Sequence, residues 1–91
     1  MRVEIPVEAG NEAIASGTLG AVIQGFNEKA KPEALYFVAA HGARTMFAVF
    51  DMASPVDIPS IAEPFFTKLK ARLEWQPCMD LADLQAGLAK V

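Results

Sequence analysis

Residues 34–52 hold two β-prone runs, Ala34 to His41 and Arg44 to Met52, joined through Gly42-Ala43. A glycine between two apolar runs signals a hairpin, because tight hairpin turns need positive φ angles that glycine adopts without steric cost. Whether the turn is His41-Gly42 or Gly42-Ala43, strand alternation sorts the side chains in the same way. One face carries Leu35, Phe37, Ala39, Met46, Ala48, Phe50 and Met52. The other carries Tyr36, Val38, Ala40, Thr45, Phe47, Val49 and Asp51. Both faces are largely apolar. A hairpin of this kind needs cover on two sides, and that demand limits every fold open to the chain.

The supply of cover is small. Ninety-one residues make one domain, 1–91, and a chain of this size buries a little under two-thirds of its extended surface, about 9,000 of 14,000 Å². Yet 53% of the residues are hydrophobic and only 21% charged, which is rich for a small soluble monomer. A single cysteine, Cys78, excludes an intramolecular disulfide framework and any multi-cysteine metal site. No metal or cofactor is implied. The formal net charge of −3 argues against nucleic acid or an anionic membrane as partner. Glu4 and Pro6 interrupt the opening residues where a signal peptide needs an unbroken apolar run. No stretch approaches the roughly 18 apolar residues of a membrane span, so a cytoplasmic protein is expected.

Elsewhere the periodicities define the remaining elements. Val3, Ile5 and Val7 alternate with Glu4, Pro6 and Glu8, which predicts a strand over 3–8 broken by Gly10-Asn11. Asn11 with Glu12 offers an early start for the next helix, weakened by Gly17 and Gly20. Leu19, Val22, Ile23 and Phe26 form one apolar stripe and define its firm part from about Thr18 to Ala30, stopped by Lys31-Pro32. Ser54-Pro55-Val56-Asp57 reads as a helix start, with Ser as cap and Pro at the first position. The helix continues through Ile58, Ile61, Phe65 and Leu69, with Pro59 and Pro64 predicting irregularity or a kink. Leu73, Trp75, Pro77 and Met79 then alternate as a fourth strand. Asp80 caps a short terminal helix of Leu81, Leu84 and Leu88.

The order β-α-β-β-α-β with a helical tail is the ferredoxin-like plan, an α+β antiparallel sheet with its helices on one face. Two helices cover one side of four strands and leave a face of about 350 Å² open. Burying that face against a second copy is the simplest remedy, since most homo-oligomers are two-fold dimers. A homodimer with facing sheets is therefore expected.

Local patterns point the same way. The segment Phe47-Ala48-Val49-Phe50-Asp51-Met52-Ala53-Ser54, the proline-bearing helix to Phe65-Phe66, and Leu73-Glu74-Trp75-Gln76-Pro77-Cys78 resemble the second half of muconolactone isomerase, a small dimeric α+β-barrel protein. Three runs resemble more closely a group of uncharacterised bacterial proteins of this length: Lys31 to Phe37, Gly42 to Met52 and Ile58 to Phe66. The resemblance implies the fold and the dimer. It carries over no catalytic residue.

Candidate chemistry is sparse. Tyr36, Val38, Thr45, Phe47 and Val49 share the second hairpin face, and apolar walls with a few polar groups are the usual makeup of a small-molecule site. Arg2 and Glu4 join that face if Val3 and Ile5 pack on the helices. Asp51 as base and Tyr36 as donor are the catalytic candidates there, with His41 at the turn as a third. Against these stands the plainer reading, in which Tyr36 and Asp51 meet water at the sheet margin and His41 is a loop-tip residue. Cys78 reads as a small apolar strand residue rather than a nucleophile. Three functions remain open: a homodimer binding a small apolar or aromatic ligand, a cofactor-independent isomerase or oxygenase using the same cavity, and a structural or regulatory dimer with a dry interface.

Overall fold

The computed structural model describes residues 1–91. The strands are β1 (Arg2–Ile5), β2 (Ala34–Ala40), β3 (Ala43–Val49) and β4 (Arg72–Glu74). The helices are α1 (Val7–Ser16), α2 (Thr18–Ala30), α3 (Ile58–Leu69) and α4 (Leu81–Leu88), with a 3₁₀ turn at Pro55–Asp57. The fold is α+β, with one antiparallel sheet in the order β2-β3-β1-β4.

The hairpin forms as its parity requires. Tyr36 pairs with Phe47, Phe37 with Met46, and Ala40 with Ala43. The turn is His41-Gly42, with φ of 53° and 76°. Positive φ at both central residues marks the primed turn whose twist matches that of the strands. Val3 and Ile5 of β1 and Met46 and Ala48 of β3 are buried on the helix-covered side. They pack with Ala13 of α1, Val22 and Phe26 of α2, and Ile61, Phe65 and Leu69 of α3. An aromatic chain closes one end of this core. Phe26 stands edge-on to Phe65 at 5.7 Å and to Phe50 at 5.3 Å, and Phe50 meets Trp75 at 5.9 Å. Such edge-to-face pairs add stability beyond the area they bury.

Three expectations are corrected. The strand predicted over 3–8 ends at Ile5, because Pro6 (φ −56°, ψ 143°) is the extended residue that opens α1. Helix α1 then runs straight through Gly10-Asn11. A Cβ at position 10 would lie 2.6 Å from Nη1 of Arg44, so glycine there admits the guanidinium that donates to the Val7 carbonyl and to Asn11 Oδ1. Gly17, at φ 80°, ends α1 and separates it from α2.

Second, α3 is one continuous helix. Pro59 lies in its first turn, where no intrahelical donor is required. Pro64 leaves the Ser60 carbonyl without its i+4 donor, and Lys29 Nζ of α2 donates to that oxygen at 3.4 Å. Third, β4 stops at Glu74, so Trp75 through Met79 leave the sheet, and Cys78 is exposed rather than a buried strand residue.

Helix α4 forms with the expected cap. Asp80 accepts from the Asp83 N–H at 2.8 Å, and Asp83 accepts from the Asp80 N–H at 3.3 Å. None of its residues is buried. The helices that cover the sheet are thus α1, α2 and α3, while α4 stands apart.

Candidate functional site

With Val3, Ile5, Met46 and Ala48 turned toward the helices, strand alternation places Arg2 and Glu4 of β1 on the opposite, uncovered face. Register then fixes the rows. Tyr36, Phe47, Arg2 and Glu74 lie side by side across the four strands, and the next row is Val38, Thr45, Glu4 and Arg72. The face has two halves. On β2 and β3 it is aromatic and aliphatic, with Tyr36 67% and Phe47 40% exposed. On β1 and β4 it carries alternating charges. Arg2 bridges Glu4 at 3.3 Å and Glu74 at 3.9 Å.

The five proposed ligand-binding residues, Tyr36, Val38, Thr45, Phe47 and Val49, do share this face. Thr45 differs from the others: it is buried, and its hydroxyl donates to the Ala43 carbonyl at 3.2 Å. A hollow of about 190 Å³ runs from Phe47 and Val49 past Arg2 and Glu74 to Cys78 and the Met1 amine. That amine donates to the Ala48 carbonyl at 2.8 Å. Partial burial pushes its pKa below the ordinary 8.0, and the charge of Cys78 acts in the other direction.

The catalytic candidates do not converge. His41 sits in the turn and Asp51 two residues beyond the far end of β3, so about 27 Å of extended chain separates them. Tyr36 lies between, roughly 14 Å from each along the strands. None is within the hydrogen-bond reach that shared proton chemistry demands. Cys78 lines a hollow with Val49 and Asp51, at the end away from His41, so the imidazole is not placed to activate its thiol. No group of three or more His, Cys, Asp or Glu is placed to hold a metal ion. Glu74 was not foreseen for this face, because a strand predicted over 72–79 gave no reason to single it out from Arg72, Gln76 and Cys78 on the same side.

A family model described as a domain of unknown function, DUF3303, matches residues 11–91. The chain belongs to the DUF3303 family. No curated protein and no solved structure matches it. The DUF3303 match takes in the hairpin, and with it Tyr36 and Phe47, and extends through α4 to Val91. Arg2 and Glu4 lie outside the matched span.

Proposed function

We propose that this DUF3303 chain is a ferredoxin-like homodimer whose open sheet faces enclose a site for a small apolar or aromatic molecule. The strand order β2-β3-β1-β4 supports the ferredoxin-like plan and a place in the dimeric α+β-barrel superfamily. One observation carries the dimer and its site: the row Tyr36–Phe47–Arg2–Glu74, apolar at one end and charged at the other, lies on a face that no helix covers. Aromatic walls with a few polar groups suit a flat apolar ligand, and Arg2 or the Tyr36 hydroxyl would orient it. An exposed lone thiol, Cys78, fits a reducing cytoplasm, and no helix is long and apolar enough to cross a membrane.

The surface supports an association. The chain exposes 6365 Å², about 1,200 Å² more than a compact monomer of its mass. A standard interface removes about 800 Å² from each partner. An isomerase or oxygenase reading has less behind it, because Tyr36, His41 and Asp51 lie far apart along the hairpin. Native mass spectrometry of the protein purified without denaturant tests the proposal. A dimer carrying added small-molecule mass is the expected result. A dimer with no added mass and no response to aromatic probes would make the interface dry and remove the ligand site. A monomer would remove the whole reading.

A further inference from the structure

The outer surface of the helix layer carries a hollow of about 220 Å³ between α2 and α3, on the side away from the open sheet face. Its floor is the solvent side of the core, formed by the buried Val22, Phe26, Ile61 and Phe65. Two lysines border it, Lys29 of α2 and Lys68 of α3, and no carboxylate does. Both ion pairs of the protein belong to Arg2, so neither ammonium has a carboxylate within 4.0 Å.

Each helix brings to this hollow a residue that suits a helix poorly. Gly25 stands in the interior of α2, where only proline is a worse helix former. No contact demands it, since a Cβ there would meet nothing within 4 Å. Pro64 stands in the interior of α3 and strips the Ser60 carbonyl of its helical donor. The replacement donor is Lys29 Nζ, at 3.4 Å. That bond holds the ammonium over one end of the hollow and uses one of its three N–H donors. Lys68 lies about 12 Å further along α3 than Ser60, at the other end. Departures from local helix rules that no contact within the protomer offsets gather at functional sites. Here two of them meet at one cavity.

We infer that the α2–α3 hollow is a second binding site, for a small apolar molecule that ends in a carboxylate. It is separate from the sheet face and does not depend on the dimer. The apolar body of the ligand fills the space that Gly25 leaves and lies over Phe26 and Phe65. Its carboxylate accepts from the two unspent donors of Lys29, a charge-assisted contact. Lys68 adds a second positive charge that favours anions over cations. The hollow is smaller than the roughly 300 Å³ at which pockets for drug-sized ligands begin, so the occupant is short.

Octanoate is the probe, with octylamine as the same chain bearing the opposite charge. Each is titrated into the full-length, isotope-labelled protein and followed by amide NMR shifts. Octanoate is expected to give saturable changes around Gly25, Lys29 and Ser60, with a dissociation constant of about 1 mM or below. Octylamine binds at least about tenfold more weakly. Lys29→Gln changes an exposed position and keeps a donor for the Ser60 carbonyl, and it weakens octanoate by a similar factor. Gly25→Leu fills the hollow, so it raises the thermal midpoint while lowering octanoate affinity at least about tenfold. No saturable shift in α2 and α3, equal binding of octylamine, or wild-type affinity in a folded Lys29→Gln or Gly25→Leu protein overturns the site. Shifts confined to Tyr36 and Phe47 overturn it as well, and leave the sheet-face reading intact.

Discussion

Replacing Phe47 by Glu places a carboxylate at the centre of the open face, and the structure gives the scale of its effect. Phe47 is 40% exposed in the protomer. A fully buried Phe contributes up to about 3 kcal/mol, so this ring has roughly 1 kcal/mol still to gain, twice over in a two-fold interface. The larger cost is the introduced charge, since stranding an ion at a buried contact costs several kcal/mol. The total exceeds about 4 kcal/mol, equivalent to roughly a thousandfold weaker dimer. The protomer itself is affected far less. Position 47 lies beside Arg2 in the sheet register, and an opposite-charge cross-strand pair is mildly favourable. Monomer stability therefore stays within about 1 kcal/mol of wild type. Sedimentation velocity across a dilution series reads the dissociation constant, and circular dichroism during urea unfolding reads the fold. Phe47→Leu, which keeps an apolar side chain, is expected to remain dimeric. A folded Phe47→Glu protein with wild-type dimer strength would refute the assignment of this face as the interface.

Other consequences follow from single residues. Gly42→Ala puts a side chain at φ 76° with no neighbour within 4 Å, so its cost of about 1 kcal/mol is purely conformational. The same urea midpoint measures it. Pro64→Ala returns an N–H to the Ser60 carbonyl inside α3 and is expected to raise stability by at least about 1 kcal/mol, read as a higher thermal midpoint. The Met1 amine has a folded pKa below 8.0 through burial. Between that value and 8.0 the unfolded chain binds more protons, so stability rises with pH through this window and is level above it. A urea series in a Cys78→Ser background, where the opposing charge is gone, should show the rise, and an N-acetylated sample should not.

How much of this was legible in the sequence varied with the locality of the physics. The hairpin parity was complete, because alternation is a two-residue rule and Gly42 pins the turn. Helix α2 and the Asp80–Asp83 capping box were equally plain. The strand read across residues 3–8 is right as far as Ile5 and overruns beyond it, because Val7 falls in step with Val3 and Ile5 by chance. Pro6 serves an extended strand end and a helix start equally well, and only packing of Ala13 into the core decides for the helix. The fourth strand was overextended for a related reason: Trp75 leaves β4 to join Phe50, a contact 25 positions distant in the chain. Of the candidate site, the shared face of Tyr36, Val38, Phe47 and Val49 followed from parity alone, as did the placement of Arg2 and Glu4. The isolation of His41 and Asp51 did not, because it depends on where β3 ends.

The central claim is that the uncovered sheet face is a subunit interface. Sedimentation equilibrium of the wild-type chain at micromolar concentration tests it most directly. A single species of twice the 9.8 kDa chain mass is the predicted result, and a species of 9.8 kDa across that range would contradict it.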